Sequence, residues 1–174
     1  MPLVKLKCIE LADNPLSKLS HIDKDNQPTM VDVSDKVATN RKAHARTTVR
    51  FPDEVAARFA DGDVQTAKGP VFATAIVAGV MGAKRTHELI PFCHPLGLDN
   101  CKITIEMDGN DAVIDCYCKV HHRTGIEMEA LTGASIAALT IYDMCKALSH
   151  DISIRKTELM AKTGGKQDFH RDGN

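Results

Sequence analysis

The sequence predicts an α+β fold, a ferredoxin-like sandwich with an antiparallel sheet and helices packed on one face. Three observations carry this reading. Strand-like and helix-like segments follow as strand, helix, helix, β-hairpin, helix, strand, which contains the split βαβ pattern. Both arms of the hairpin alternate apolar and polar residues about Asp108-Gly109-Asn110. The two long helical segments are rich in Ala, Val, Ile and Gly, so each must be covered on most of its surface.

The elements follow in order. Residues 1 to about 28 form a polar, weakly patterned lead-in, and Met30-Val31-Asp32-Val33-Ser34-Asp35-Lys36 begins the compact part. Ala43 to Phe51 is β-branched in part and stops at a proline, as a strand does. Pro52 to Phe59 suits a short helix, with Pro in its first turn and an acidic pair behind it. Asp61-Gly62-Asp63 breaks it. Gly69-Pro70 opens a second helix that runs to about Lys84. Cys101 to Met107 puts Ile103, Ile105 and Met107 on one face. Ala112 to His121 puts Ile114, Cys116, Cys118 and Val120 inward, with Asp115, Tyr117 and Lys119 on the other face. That outer face is mixed in character and could meet solvent or a second subunit. Gly125 to Leu148 reads as one long helix, with Thr124 and Glu127 spaced as a capping box. Ile152 to Ala161 closes the sheet. Lys162-Thr163-Gly164-Gly165-Lys166 reads as a glycine-hinged basic loop.

At 174 residues the chain suffices for one domain with a real core. A net charge of -1 excludes a whole-surface match to nucleic acid, although a basic pocket could hold a small anion. No apolar run approaches a membrane span. The N-terminal segment has no apolar h-region, so a cytoplasmic location is expected. Six cysteines are present: Cys8, Cys93, Cys101, Cys116, Cys118 and Cys145. With no secretion signal they read as free thiols in a reducing compartment, and Cys116-x-Cys118 reads as small buried hydrophobes on one strand face rather than as metal ligands.

Two regions are candidates for chemistry. Glu88-Leu89-Ile90-Pro91-Phe92-Cys93-His94-Pro95-Leu96 sets a cysteine and a histidine between two prolines. Proline fixes φ and restrains its neighbour, so Phe92 to His94 is expected as a stiff, mostly extended turn. The other region is the long helix, where Glu129, Thr132, Thr140, Asp143 and Lys146 fall on one stripe at 100° per residue. Such a stripe is either a solvated edge or the wall of a pocket. In a pocket, Asp143 and Lys146 could divide acid and base roles, with burial moving both pKa values toward neutrality. Basic groups gather near loops: Lys68 before Gly69-Pro70, His121-His122-Arg123 before the long helix, and Lys162 and Lys166 around Gly164-Gly165. There is no GxxxxGK[ST] phosphate loop. His121 and His122 point to opposite faces on a strand, so they make no chelate.

Four segments together resemble one family. They are Met30-Val31-Asp32-Val33-Ser34, the Leu89–Leu96 run, Gly125-Ile126-Glu127-Met128-Glu129-Ala130-Leu131 leading to Leu139-Thr140-Ile141-Tyr142-Asp143-Met144-Cys145-Lys146-Ala147, and Ala161-Lys162-Thr163-Gly164-Gly165-Lys166. In order, from about Leu19 to Phe169, they resemble the MoaC family of molybdenum cofactor biosynthesis. The resemblance implies residues 1–18 as an extension outside it and residues 19–174 as a single catalytic domain. It implies a lyase that converts a 3′,8-cyclised dihydro-GTP to cyclic pyranopterin monophosphate and pyrophosphate. It implies a homohexamer, a trimer of dimers, with active sites at subunit interfaces. Carried over by position, Asp143, Lys146 and Lys162 are catalytic, and Phe92, Cys93, His94, Glu127, Met128, Glu129, Lys68 and Lys166 bind substrate. Two departures stand out: Thr163 and Gln167 flank the glycine-lysine loop where Ser is more usual, and Arg46-Thr47-Thr48 lacks a glycine often found there. No resident cofactor or metal site is expected; magnesium could accompany the leaving pyrophosphate. A binding protein without turnover would use the same pocket but would not need the Asp143–Lys146 pair.

Overall fold

The computed structural model describes residues 27–171. The chain divides into two compact units, Met1–Val31 and Asp32–Asn174, and the architecture that follows is that of the second. Most of the expected polar lead-in lies outside the described residues.

Five strands form one antiparallel sheet. Across the sheet they run β4 (Asn100–Asp108), β5 (Asp111–His122), β1 (Thr39–Arg50), β6 (Ser153–Thr163) and β7 (Phe169–His170). The first four give the ferredoxin-like order: each of two long helices crosses over a strand that is threaded between the pair it connects. Those helices, α2 (Val71–Lys84) and α4 (Glu127–Cys145), pack together on one face. The expected class is therefore the observed one. The helix expected after Pro52 divides into α1 (Asp53–Ala56) and a 3-10 turn, Ala57–Phe59. A two-stranded ribbon, β2 (Gln65–Thr66) with β3 (Gly69–Pro70), a one-turn helix α3 (Thr86–Leu89) and β7 are too short to leave a periodic signal.

The alternation read from the hairpin holds. Ala112, Ile114, Cys116, Cys118 and Val120 of β5 are all buried, and so are Ala43, Ala45, Thr47 and Val49 of β1. The one polar member, Thr47, shares a 2.7 Å hydroxyl contact with Thr157 on β6. Small residues let the helices close on each other. A Cβ on Gly79 of α2 would stand 2.7 Å from the Gly133 carbonyl oxygen of α4, and one on Gly133 would stand 2.7 Å from Cys116 Sγ. The mild helix penalty of glycine is thus offset by close packing. Phe51, Phe59 and Phe72 stack in series, with centroids 4.9 and 4.7 Å apart, and join the residue after β1 to the 3-10 turn and to α2.

The start of α2 has no cap of its own, because Pro70 precedes it. Asp63 fills that role from nine residues upstream: its two carboxylate oxygens accept the Phe72 and Ala73 N–H groups at 2.8 and 3.0 Å. On the outer sheet face Asp115 is buried, not exposed. It accepts a forked pair from Arg46 at 2.8 and 2.9 Å and meets His44 Nε2 at 2.6 Å, while the His44 ring stacks on Tyr117 at 4.2 Å. Burial pushes the Asp115 carboxyl up, but Arg46 and His44 outweigh it and hold the carboxyl below its ordinary value.

Candidate active site

The candidate residues fall into two groups at opposite ends of α4. The C-terminal group centres on Asp143. Its Oδ1 accepts from Lys146 Nζ at 2.7 Å, one turn along the helix, and its Oδ2 accepts from Lys68 Nζ at 2.6 Å. The β2–β3 ribbon brings Lys68 there. Thr66 Oγ1 donates to the Gly69 carbonyl at 2.9 Å and accepts the Lys68 N–H at 3.1 Å, and Gly69 takes a φ of +109° that suits glycine. The result is one carboxylate between two ammonium groups.

Burial does not tune this group as expected. The side chains of Asp143 and Lys146 are 50% and 53% exposed. Their shifts come from each other. The hydrogen bond from Lys146, then that from Lys68, lowers the Asp143 carboxyl to about 2. The hydrogen bond to Asp143 raises the Lys146 ammonium above its ordinary value. Near neutral pH Asp143 is thus an anion and Lys146 a cation. In this state the carboxylate is a poor base, and Lys146 holds a proton that can be transferred.

The N-terminal group is the one shaped by burial. Glu129 is only 5% exposed, and burial raises its carboxyl to about 7, helped by the nearby Glu127 charge. The titrating carboxyl of the helix stripe is therefore Glu129, at the other end from the expected pair. Thr132 is buried with it, and Thr140 returns its hydroxyl to the Ile136 carbonyl at 2.8 Å. The Cys93 thiol is pushed up by its own burial and by the Glu129 charge, which brings the proline-rich segment to this end of α4.

Phe92 departs from expectation. Its φ is +66°, the single positive value among the described residues other than glycine. Cys93 N–H donates to the Ile90 carbonyl at 3.2 Å, so Ile90 to Cys93 turns with Pro91 second and a left-handed residue third, the pattern of a type II turn. Glycine normally takes that third place. A left-handed phenylalanine costs on the order of 1–3 kcal/mol, and such strain collects where a side chain must be aimed. The Phe92 ring is accordingly exposed.

Glu127 departs as well. No side chain caps α4, so the expected capping box does not form. The Glu127 carboxylate instead accepts from Lys162 Nζ at 2.8 Å, and Thr124 pairs with His122 Nδ1 at 3.3 Å. Lys162 lies on β6 rather than in a loop, because that strand continues to Thr163. The loop proper begins at Gly164, whose φ of +83° lets it lie against β1: an added Cβ would meet the Asn40 carbonyl oxygen at 1.9 Å. Thr39 donates to the Gly164 carbonyl at 2.7 Å, and Asp168 accepts the Gly164 N–H at 2.9 Å. Met128 is exposed on the first turn of α4, and Lys166 is exposed on the loop. His94 follows Cys93 and is half-buried.

Sequence reasoning missed Arg41. Its guanidinium donates to the His122 carbonyl at 3.3 Å and the Arg123 carbonyl at 3.4 Å, and it borders Gly165. It adds a fixed cation to the Lys162 end. The signal available was its place on β1, two residues before the buried alternation begins. From Glu129 to Asp143 the helix rises about 21 Å, which sets the two groups apart along α4.

An α+β sheet protein with a lysine-clamped carboxylate at one helix end and a buried, near-neutral carboxyl at the other carries the proton-holding groups of an enzyme site. The comparisons with known proteins specify the class. Residues 30–165 match the model of the MoaC family, and the chain belongs to that family. It is 56% identical over 160 residues to the cyclic pyranopterin monophosphate synthase of Xanthomonas axonopodis pv. citri (strain 306), covering 91% of this chain and 96% of that one. It is 49% identical to molybdenum cofactor biosynthesis protein 1 of Dictyostelium discoideum, over 86% of this chain and 27% of that protein. It is 46% identical to a molybdenum cofactor biosynthesis bifunctional protein of Synechocystis sp. (strain ATCC 27184 / PCC 6803 / Kazusa), over 86% of this chain and 44% of that one.

Proposed function

We propose that this chain works as a pyranopterin-forming lyase of molybdenum cofactor biosynthesis. It converts (8S)-3′,8-cyclo-7,8-dihydroguanosine 5′-triphosphate to cyclic pyranopterin monophosphate and releases pyrophosphate. The observation that carries the reading is the Lys68–Asp143–Lys146 clamp in a chain 56% identical to a named synthase. A triphosphate needs cations that are charged at neutral pH, and the raised Lys146 ammonium is one.

The roles divide by chemistry. Asp143 holds Lys68 and Lys146 as oriented ammonium groups, and a lysine of the clamp gives its proton as the old ring opens. Glu129 sits near the pKa at which one carboxyl both accepts and returns a proton at neutral pH. Lys162, with Glu127, and Lys166 face the phosphates. Phe92, Cys93, His94 and Met128 hold the base and sugar. A sugar hydroxyl attacks the α-phosphorus, the cyclic phosphate forms, and pyrophosphate leaves. The scheme gives every role to the chain's own residues; magnesium, where present, would screen the charge of the pyrophosphate.

Because the two groups stand at opposite ends of α4, each complete site takes its Asp143 group from one chain and its Lys162–Glu129 group from another. A homohexamer built as a trimer of dimers repeats that pairing, and residues 19–174 act as the single catalytic domain. The cytoplasm is the proposed location; among the described residues no helix is long and apolar enough to cross a membrane. The test is turnover of the cyclised dihydro-GTP by purified protein, following both products. Cyclic pyranopterin monophosphate and pyrophosphate in equal amounts support the reading; tight binding without product overturns it.

A further inference from the structure

Two thiols on one strand face are ordinarily small apolar filling, and Cys116 and Cys118 alone would be read that way. Cys101 changes the reading. It lies directly across from Cys118 on β4. Its sulfur is 3.8 Å from Cys118 Sγ, which is 3.9 Å from Cys116 Sγ. All three sulfurs lie within 4.8 Å of one another. Ligands at about 2.3 Å from a zinc ion stand about 3.8 Å apart in a tetrahedron and about 4.0 Å apart in a trigonal plane. The two shorter separations already have that spacing.

The scaffold fixes this arrangement. Cys116 and Cys118 are two apart on β5 and share its inner face. The register set by the hairpin at Gly109-Asn110 brings Cys101 opposite. Helix α4 closes the cluster from above with a glycine, Gly133, where any side chain would meet Cys116 Sγ. Cys116 and Cys118 are buried, whereas Cys101 is half-buried and leaves an approach for an ion. None of the three is among the residues proposed to meet substrate.

We propose that Cys101, Cys116 and Cys118 form a three-thiolate site for a thiophilic d10 cation, Zn(II) or Cu(I). Soft thiolates select these ions over magnesium or calcium. Cu(I) is satisfied by the three sulfurs, and Zn(II) takes water as a fourth ligand from the Cys101 side. The bound ion ties the edge strand β4 to β5. Each thiol that binds gives up its proton to solvent, so affinity weakens as pH falls.

The test uses the reduced full chain, freed of metal by a chelator. Cd(II) is the spectroscopic probe, Zn(II) competes with a chromophoric chelator, and Cu(I) is added anaerobically against a Cu(I) chelator. The expected result is about one Cd(II) per chain with a thiolate-to-metal absorption band, and a higher melting temperature with Zn(II) or Cu(I). Cys101→Ser should weaken binding at least about tenfold and abolish the metal-dependent rise in melting temperature. Cys93→Ser should keep both. A second readout needs no variant: bound metal should slow alkylation of Cys101, mapped by mass spectrometry. No stoichiometric binding of any probe, equal binding by Cys101→Ser, or unchanged Cys101 alkylation overturns the proposal.

Discussion

Replacing Glu129 with Gln separates what the buried carboxyl costs the fold from what it does in the site. Burial moves this carboxyl from 4.5 to about 7. The folded chain therefore holds the proton more tightly than the unfolded chain does. The sign follows: stability linked to Glu129 is fully present below about pH 4.5 and is lost as pH rises through about 7. At about 1.4 kcal/mol per pH decade the loss is about 3 kcal/mol. Gln keeps the shape and stays neutral at every pH. The variant should therefore gain about 3 kcal/mol on the wild type between pH 4 and pH 8. Urea unfolding of both proteins at one fixed concentration measures this, because the other titrating groups cancel in the difference. A difference that stays flat across that range would refute the buried, proton-holding Glu129. Product formation should move the opposite way, falling about 100-fold or more at neutral pH as the exchangeable proton is lost.

The other predictions concern the clamp, the loop and the packing. Asp143→Ala should leave a folded oligomer with an unchanged melting temperature and no measurable product; full activity in an assay of pyrophosphate release would remove Asp143 from the mechanism. Lys162→Ala should be severely impaired in the same assay, and near-normal turnover would show that this strand end is not catalytic. Gly133→Ala drives a methyl toward Cys116 Sγ, so it should cost about 1–3 kcal/mol in urea unfolding. Wild-type stability in that variant would contradict the close packing of α4 on β5.

The order of elements and the inward set on β5 were legible because both depend on patterns of period two and 3.6, which the chain states locally. Ile114, Cys116, Cys118 and Val120 are buried for that reason. The stripe on α4 was legible as a stripe, but its environment was not. Periodicity gives direction around a helix and says nothing about what covers each turn, so Glu129 is buried while Asp143 is half-exposed. Choices among partners were hidden too. Thr124 and Glu127 have capping-box spacing, yet a strand end from 35 residues away supplies Lys162, and the ion pair wins over the backbone N–H. The positive φ of Phe92 was likewise invisible, since a phenylalanine gives no local sign that it will occupy a glycine's conformation.

The central claim is that one active site joins the Asp143 end of one chain to the Lys162 end of another. The most direct test mixes Asp143→Ala with Lys162→Ala, dissociates and reassembles the two proteins together, and measures cyclic pyranopterin monophosphate from the cyclised dihydro-GTP. Each variant alone should be inactive. Random pairing should restore about a quarter of wild-type activity, because a site is intact only when each chain supplies its undamaged end. A mixture as inactive as its parts, from oligomers shown to contain both chains, would place both ends of the site within a single chain and contradict the account.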